Sequence, residues 1–397
     1  MKKCIVFGTG IVALGTIQAY AKAGIKVAHL TTKADDIARY SRHINEWHVL
    51  PSVPEQEQAT LQFLMNGLED WEGALLDPVN DPYVAFVSQH HDVLSRRYVL
   101  AVPPWDILRG IVDKSMLYCR AYELNVPAPA TTVPESVEHI RKISKNLKYP
   151  CIIKPHQTPS FFSVYQQKVL VADTPEALVD QYIDVDKHNL EAMVSEIIPG
   201  PNTHYLIYIC HISRDGDVLA EMCVQKIRQH PAEYGVGCVI KTVPMLDEIR
   251  ESSLRLLRSY GYVGFSATEF KYDGRDGQYK LIEINTRPVL YIHVFRKAGI
   301  NFSEIQYADK VEGKAATVQG HTAQVHWIHP YFDFYEFRSR KTQPGFSRRR
   351  FLHPYVQPKA YAIPFWDDPM PFLKNAEKFI GAAVRRRLQT PRSSKPK

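Results

Sequence analysis

Residues 264–288 read GFSATEFKYDGRDGQYKLIEINTRP. Phe265, Ala267, Glu269 and Lys271 alternate with Ser266, Thr268, Phe270 and Tyr272, the two-residue period of a β-strand. Asp273-Gly274 and Asp276-Gly277 supply turn chemistry. A second strand follows over 280–287, with Glu283, Asn285 and Arg287 on one face and Ile282 and Ile284 on the other. A loop centred near Arg275 and Asp276 sets Glu269 opposite Glu283. Like charges directly opposite each other destabilise an antiparallel pair, so the hairpin calls for a cation between them. Two carboxylates and an amide oxygen form a hard, all-oxygen set suited to Mg²⁺ carried in on a nucleotide phosphate. Apolar flanks favour burial over a solvated hairpin.

Upstream of the hairpin the chain reads as alternating helices and antiparallel strands, an α+β arrangement. Asp113-Lys114 opens a helix, and Pro127 and Pro129 impose an extended segment after it. A basic amphipathic helix is expected over 137–147, and a short apolar strand over 149–155 ends in Lys154-Pro155. A strand over 169–172 and a helix from Thr174-Pro175-Glu176 follow. The run Ala192-Met193-Val194-Ser195-Glu196-Ile197-Ile198-Pro199-Gly200 is a strand with a sharp stop. Arg214-Asp215-Gly216-Asp217 turns a hairpin, and 247–260 is a helix. Lys114 and Lys154 stand at a helix start and a strand end, where side chains reach a cleft and supply the point charges that a polyphosphate needs.

The first hundred residues differ in character. An apolar strand over 3–7, Gly8-Thr9-Gly10, a helix to about residue 23 and a strand over 26–30 make a βαβ start. Gly8-x-Gly10-x-x-Ala13 fits a loose dinucleotide fingerprint. The second strand ends at His29-Leu30-Thr31-Thr32, with no acid placed for a ribose, and a tight strand-to-helix turn needs glycine whatever it binds. Ala85-Phe86-Val87 reads as a further buried strand, ahead of an apolar stretch over 94–101.

At 397 residues the chain has room for two or three domains, and 45% hydrophobic with 23% charged residues is ordinary for a water-exposed globular protein. No apolar run reaches the 18 residues or more of a membrane-spanning helix. Six cysteines without CxxC spacing point to reduced thiols and a cytoplasmic setting. His90-His91-Asp92 is a poor metal pair because adjacent side chains diverge, and Asp367-Asp368 suits a helix start. Residues 311–370 are aromatic and loop-rich, 372–388 form a final helix, and 389–397 read as a disordered tail. The net charge of +7 is uneven: residues 338–397 hold 15 Lys or Arg against 3 Asp or Glu. Arg338, Arg340, Lys341, Arg348, Arg349 and Arg350, with Arg385-Arg386-Arg387, suit either a solvated face or an anionic surface, whether a bilayer or an anionic precursor. The region lacks a nucleic-acid-binding module.

The constellation of Lys114, Lys154, the Glu196 strand and the carboxylate hairpin resembles the ATP-grasp superfamily, carboxylate–amine ligase type, and within it the group related to D-aspartate ligase. The resemblance covers roughly residues 1–310 and is most specific over 113–288. It implies an α/β plus α+β chain: a Rossmann-like pre-ATP-grasp domain (1–112), then a two-lobed ATP-grasp fold (113–310, lobes about 113–195 and 196–310). A basic C-terminal extension (311–397) follows. It also implies ATP, two Mg²⁺ ions (Mn²⁺ substituting) and formation of an amide bond between a small-molecule carboxylate and an amine, through an acyl phosphate.

By the same resemblance, Lys114 and Lys154 hold ATP phosphates, Glu196 and the Ile198 backbone read adenine, and Asn202 stands where the family has a ribose-binding acid. Lys226 and Arg228 match a Lys-x-Arg segment facing the γ-phosphate and the acceptor. Glu269, Glu283 and Asn285 match the metal ligands, and Arg287 the arginine facing the acyl phosphate or tetrahedral intermediate. One departure is the run His156-Gln157-Thr158-Pro159-Ser160-Phe161-Phe162-Ser163, which has no glycine where many members have a glycine-rich phosphate-covering loop. The alternatives are a non-catalytic ATP-binding protein at a membrane surface and, from Gly8-x-Gly10, an NAD-dependent oxidoreductase.

Overall fold

A computed structural model describes residues 2–53, 55–155, 158–167, 169–232, 235–314, 324–364 and 366–389. Three sheets follow one another along the chain. The first is wholly parallel, in the order β3-β2-β1-β4-β5, with β1 Lys3–Phe7, β2 Lys26–Thr31, β3 Glu46–Val49, β4 Leu75–Pro78 and β5 Val99–Leu100. Its central strands are apolar and almost wholly buried, as both-faces-covered parallel strands must be. Helix Gly10–Lys22 makes the first crossover.

Residues 85–87 are not a strand. They lie in helix Asp81–Gln89, which Pro82 starts and whose Tyr83, Val84, Phe86 and Val87 bury one face. A three-residue apolar run fits either period. The strand of this βαβ unit is instead β4, immediately upstream. Likewise only Val99–Leu100 of the stretch 94–101 is extended, after a single helical turn His91–Leu94.

The second sheet, β6 Thr131–Thr132, β7 Cys151–Pro155, β8 Leu170–Ala172 and β9 Ala192–Glu196, runs β6-β9-β7-β8 and is antiparallel. Helices Val137–Ile143 and Pro175–Lys187 cover it, burying Ile140, Leu178 and Val185 against Ile153 and Val194. Of the run 156–163, read as a covering loop, residues 156 and 157 lie outside the described residues and 158–163 belong to a helix (Thr158–Tyr165) anchored by fully buried Phe161 against Tyr165, with ring centroids 4.6 Å apart. The side chains of Thr158 and Ser160 lie outside the described residues.

The third sheet has seven strands: β10 Tyr205–Ile212, β11 Val218–His230, β12 Val236–Val243, β13 Gly264–Asp273, β14 Gln278–Asn285, β15 His326–Ile328 and β16 Lys359–Tyr361. Its order is β14-β13-β10-β11-β12-β15-β16, antiparallel except for the last pair. The region after residue 311 therefore holds regular structure, contrary to its loop-rich reading. Two strands extend the sheet, and helix Pro330–Arg340 packs on β11.

Helix Pro369–Gln389 returns to the first sheet's layer, where Asp368 accepts hydrogen bonds from Gln18 and Ser41 and Lys378 reaches Asp35. Helix Ile292–Lys297 closes against helix Gly10–Lys22 at Gly15, where a Cβ would stand 2.3 Å from Ile292 Cγ2. Only glycine permits that approach, which fixes the element following Arg287 to the N-terminal layer.

Candidate active site

The hairpin β13–β14 pairs Glu269 directly with Glu283, as the sequence period requires, with a bulge after Glu269. Each carboxylate meets a different lysine. Lys226 Nζ lies 2.9 Å from Glu269 Oε1, and Lys114 Nζ 3.2 Å from Glu283 Oε2. Lys114 opens helix Lys114–Glu123, whose N-cap Asp113 accepts from the Ser115 and Met116 amides and so fixes where that lysine points. The Lys114 charge pulls the Glu283 carboxyl down to about 2, against burial. Asn285 Nδ2 donates to Glu283 Oε1 at 3.3 Å, which leaves its Oδ1 for a cation.

Lys154, at the end of β7, approaches the same cluster from the other lobe. Its Nζ donates to Tyr118 Oη at 3.4 Å, and Tyr118 in turn donates to the Ile282 carbonyl at 2.8 Å. Burial, then repulsion from Lys114, pulls the Lys154 ammonium down to about 7. An anion at this point would restore its proton.

The strand stop at Glu196 forms a second cluster. Glu196 accepts the Ala130 amide at 2.9 Å and Arg275 at 2.8 Å, and Lys280 approaches to 3.4 Å. Burial raises its carboxyl, but the Ala130 amide and Arg275 outweigh that and hold it below the usual range. The Ile198 carbonyl accepts Lys271 Nζ at 2.6 Å. Burial, then Lys226, brings Lys271 down to about 8. Asn202 begins the 3-10 turn Asn202–His204 beside β10 and is half-buried.

Arg287 lies just past β14. Its Nε and second terminal nitrogen grip Asp81 at 2.5 and 2.9 Å, a fork-to-fork pair with the first turn of helix Asp81–Gln89. Arg228, two residues beyond Lys226, is drawn away from the hairpin. It is buried and bound at 2.6 and 2.9 Å to Asp333 of helix Pro330–Arg340, which also accepts Tyr355 Oη at 2.8 Å. The structure thus brings Lys114, Lys154, Lys226, Glu269, Glu283 and Asn285 together, with Arg287 at the edge facing the N-terminal layer and Arg228 engaged elsewhere.

No family model matches the chain. The D-aspartate ligase of Enterococcus faecium (strain Aus0004) is 23% identical over 325 residues, spanning 78% of this chain and 77% of that protein. Among solved structures, the L-amino acid ligase from Bacillus licheniformis superposes with a TM-score of 0.61 at 17% identity, over 80% of this chain and 78% of that one. The biotin carboxylase domain of Hydrogenobacter thermophilus 2-oxoglutarate carboxylase, solved with MgADP and bicarbonate, gives 0.63 at 18% identity, over 80% and 71%. This chain shares the fold of these solved structures and is similar in sequence to a D-aspartate ligase.

The Hydrogenobacter thermophilus domain was solved with MgADP, and the paired carboxylates, amide oxygen and three lysines gathered here are chemically suited to a magnesium-bound nucleotide. The described residues contain no cluster of three or more His, Cys, Asp or Glu, so the protein alone offers two carboxylates and one amide oxygen. That is a partial set, of the kind completed by phosphate oxygens and water. Lys226 and Lys114 form ion pairs with the two carboxylates, so the charges of the opposed pair are balanced.

Sequence reasoning missed other side chains of this cluster. Tyr118 lies four residues after Lys114, one helical turn away on the same face, and that spacing could have revealed it. Tyr205 holds Lys226 Nζ 3.9 Å and Lys271 Nζ 4.9 Å from its ring centroid, and its place at the start of β10 gave no chemical signal. The dinucleotide alternative loses its anion site. The amides of Gly8, Thr9 and Gly10 already donate to the Leu30 carbonyl, Asn80 Oδ1 and Asp36 Oδ2 at 2.9, 2.7 and 2.7 Å, and the last acceptor would repel a phosphate. His90 bonds Glu57 and takes no part in a metal cluster among the described residues.

Proposed function

We propose that this protein is an ATP-dependent carboxylate–amine ligase that joins an amino acid or small carboxylate to an amine, releasing ADP and phosphate. The observation that carries the reading is the Glu269–Glu283 pair with Lys114, Lys154 and Lys226 around it in an ATP-grasp fold. Lys114 and Lys154 hold phosphates, and Glu196 with the Ile198 backbone takes the adenine edge, with Asn202 toward the ribose. Glu269, Glu283 and Asn285 hold Mg²⁺, which when bound offsets phosphate charge and aligns the transfer.

A substrate carboxylate oxygen bonds to the γ-phosphorus as the bond to ADP breaks. The amine nitrogen then bonds to the acyl carbon, phosphate leaves, and the amine proton goes to the departing phosphate. Arg287, steered by Asp81, faces the oxyanion of that second step, and Lys226 faces the transferred phosphoryl group. Arg228 acts toward the acceptor through the segment it shares with Lys226, and its bond to Asp333 sets that segment's path. The unit division at 112/113 and 310/311 belongs to this reading. The relationship to a D-aspartate ligase supports an amino acid as the carboxylate and a cell-envelope or nucleotide-linked precursor as the amine.

We assign the protein to the cytoplasm on its six free cysteines, five of them buried. Among the described residues no helix is long and apolar enough to cross a membrane. Helix Pro369–Gln389 leaves Met370, Leu373 and Ile380 exposed beside Trp366, which supports contact of the basic C-terminal region with an anionic membrane surface. The side chains of Arg385, Arg386 and Arg387, and the tail 390–397, lie outside the described residues. Release of ADP and phosphate, screened over amino acids paired with amines, tests the ligase reading. Turnover that no pair raises above the ATP-only rate would end it. Co-sedimentation with vesicles rich in phosphatidylglycerol tests the surface contact, and no preference over neutral vesicles would end that part.

A further inference from the structure

A cavity of about 820 Å³ opens between helix Gly10–Lys22, helix Ile292–Lys297 and the chain from Lys359 to Phe372. It is not the nucleotide cleft, since none of the three cleft lysines or the paired carboxylates lines it. Lys226, Ile240, Trp327 and Ala360 form one row across four adjacent strands. Ala360, at the cavity wall, is therefore on the same sheet face as Lys226, at three strand spacings or ~14 Å. The ground between is filled: Ile240 and Trp327 are fully buried, and Tyr291 packs edge-on to Trp327 at 6.2 Å.

The chemistry of this space is unbalanced. Arg296, Lys297 and Lys359 line it, against one acid, Asp367. That carboxylate already serves Lys22 at 2.7 Å, Arg42 at 3.2 Å and His43 at 3.3 Å. Among the described residues Lys359 Nζ reaches only the Gln357 carbonyl, at 3.4 Å. Arg296 is half-buried and has no hydrogen-bonded acceptor among the described residues, feeling Asp367 only at longer range. A cation withdrawn from water without a partner is costly, and an anion in the cavity removes that cost. Gln18 and His293 add polar lining, and one side is apolar and aromatic: Ile363, Phe372, Tyr361 and, at the rim, Trp366, which is 95% exposed.

We propose that this cavity is a ligand site separate from the nucleotide cleft, and that it takes an organic anion with a flat apolar body. The acid group sits against Arg296 and Lys359, and the body lies between Tyr361, Trp366 and Phe372. The volume falls within the ~300–1,000 Å³ range of small-molecule sites. The proposal is independent of the ligase reading, because it invokes no residue of the cleft.

The test is 8-anilinonaphthalene-1-sulfonate, a flat aromatic anion, titrated into the full chain with and without saturating MgADP. One saturable site is expected, with affinity unchanged by MgADP. Arg296→Gln and Lys359→Gln should each weaken it about tenfold, the worth of one charged hydrogen bond. Energy transfer to the bound probe should drop in Trp366→Phe, a rim change that leaves the core alone. Displacement by MgADP, absence of a saturable site, or affinities within twofold of the parent in both charge variants overturns the proposal.

Discussion

Glu269 and Glu283 stand directly opposite each other on adjacent strands, and each is neutralised by a lysine from a different part of the chain. Lys226 comes from β11 of the same sheet and Lys114 from a helix 169 residues before Glu283. The pair is thus an electrostatic hinge. Under the proposed function, a cation brought to the carboxylates would free both lysines for phosphates.

Glu283→Gln breaks this exchange on one side. ATP turnover with a productive acid–amine pair should fall ~100-fold or more, since metal-borne charge stabilisation is lost, and chelation of Mg²⁺ should abolish it in the parent. Phosphate release measures both. Turnover within threefold of the parent would take the hairpin out of the chemistry.

Lys154 should make nucleotide binding pH-dependent. In the free protein it loses its proton near pH 7. Phosphate favours the charged form, so binding above that pH must take up a proton. Affinity should fall as pH rises from 7 to 9, by up to about tenfold per unit. Below pH 7 the lysine is already charged and the dependence should vanish. Calorimetry at pH 8 in two buffers of different ionisation enthalpy should report uptake approaching one proton, absent in Lys154→Met.

Asp81 aims Arg287 from another layer of the molecule. Asp81→Asn should lower kcat ~10-fold while leaving the affinity for MgADP unchanged. Arg287→Lys, which loses the bidentate fork, should lower kcat ~100-fold. Equal loss of nucleotide affinity in both variants would point to a collapsed lobe instead of a misaimed arginine.

The Arg228–Asp333 pair is buried on both sides, so removing one partner strands a charge. Arg228→Met should destabilise the protein by ~3–5 kcal/mol, and the double variant Arg228→Met/Asp333→Leu should recover most of that. Urea unfolding followed by circular dichroism measures it. A neutral effect of Arg228→Met would mean that the pair is not closed in solution.

Legibility followed the range of the interactions. The hairpin, its turn and the Glu269–Glu283 register were readable because period-two alternation and Asp-Gly turns act over a few residues. Helix Lys114–Glu123 was readable from its Asp113 cap. The run 85–87 was misread because three apolar residues carry no period, and what decided it was Pro82 and a buried face repeating over the whole segment. Residues 158–163 were read as part of a loop by resemblance, yet burial of Phe161 in the core of the second sheet makes them helical.

The sequence by itself determined the hairpin that opposes Glu269 and Glu283, the places of Lys114 at a helix start and Lys154 near a strand end, and a βαβ start, because each rests on local spacing. Tertiary structure alone decided which acids the arginines serve. Arg287 meets Asp81 across 206 residues and Arg228 meets Asp333 across 105, and nothing local in either segment encodes those partners. It also decided that Gly8-Thr9-Gly10 is closed to a dinucleotide, since Asp36 and Asn80 reach those amides only once the first sheet has formed. Pairings of this kind are set by how the layers pack, and packing is a property of the assembled chain.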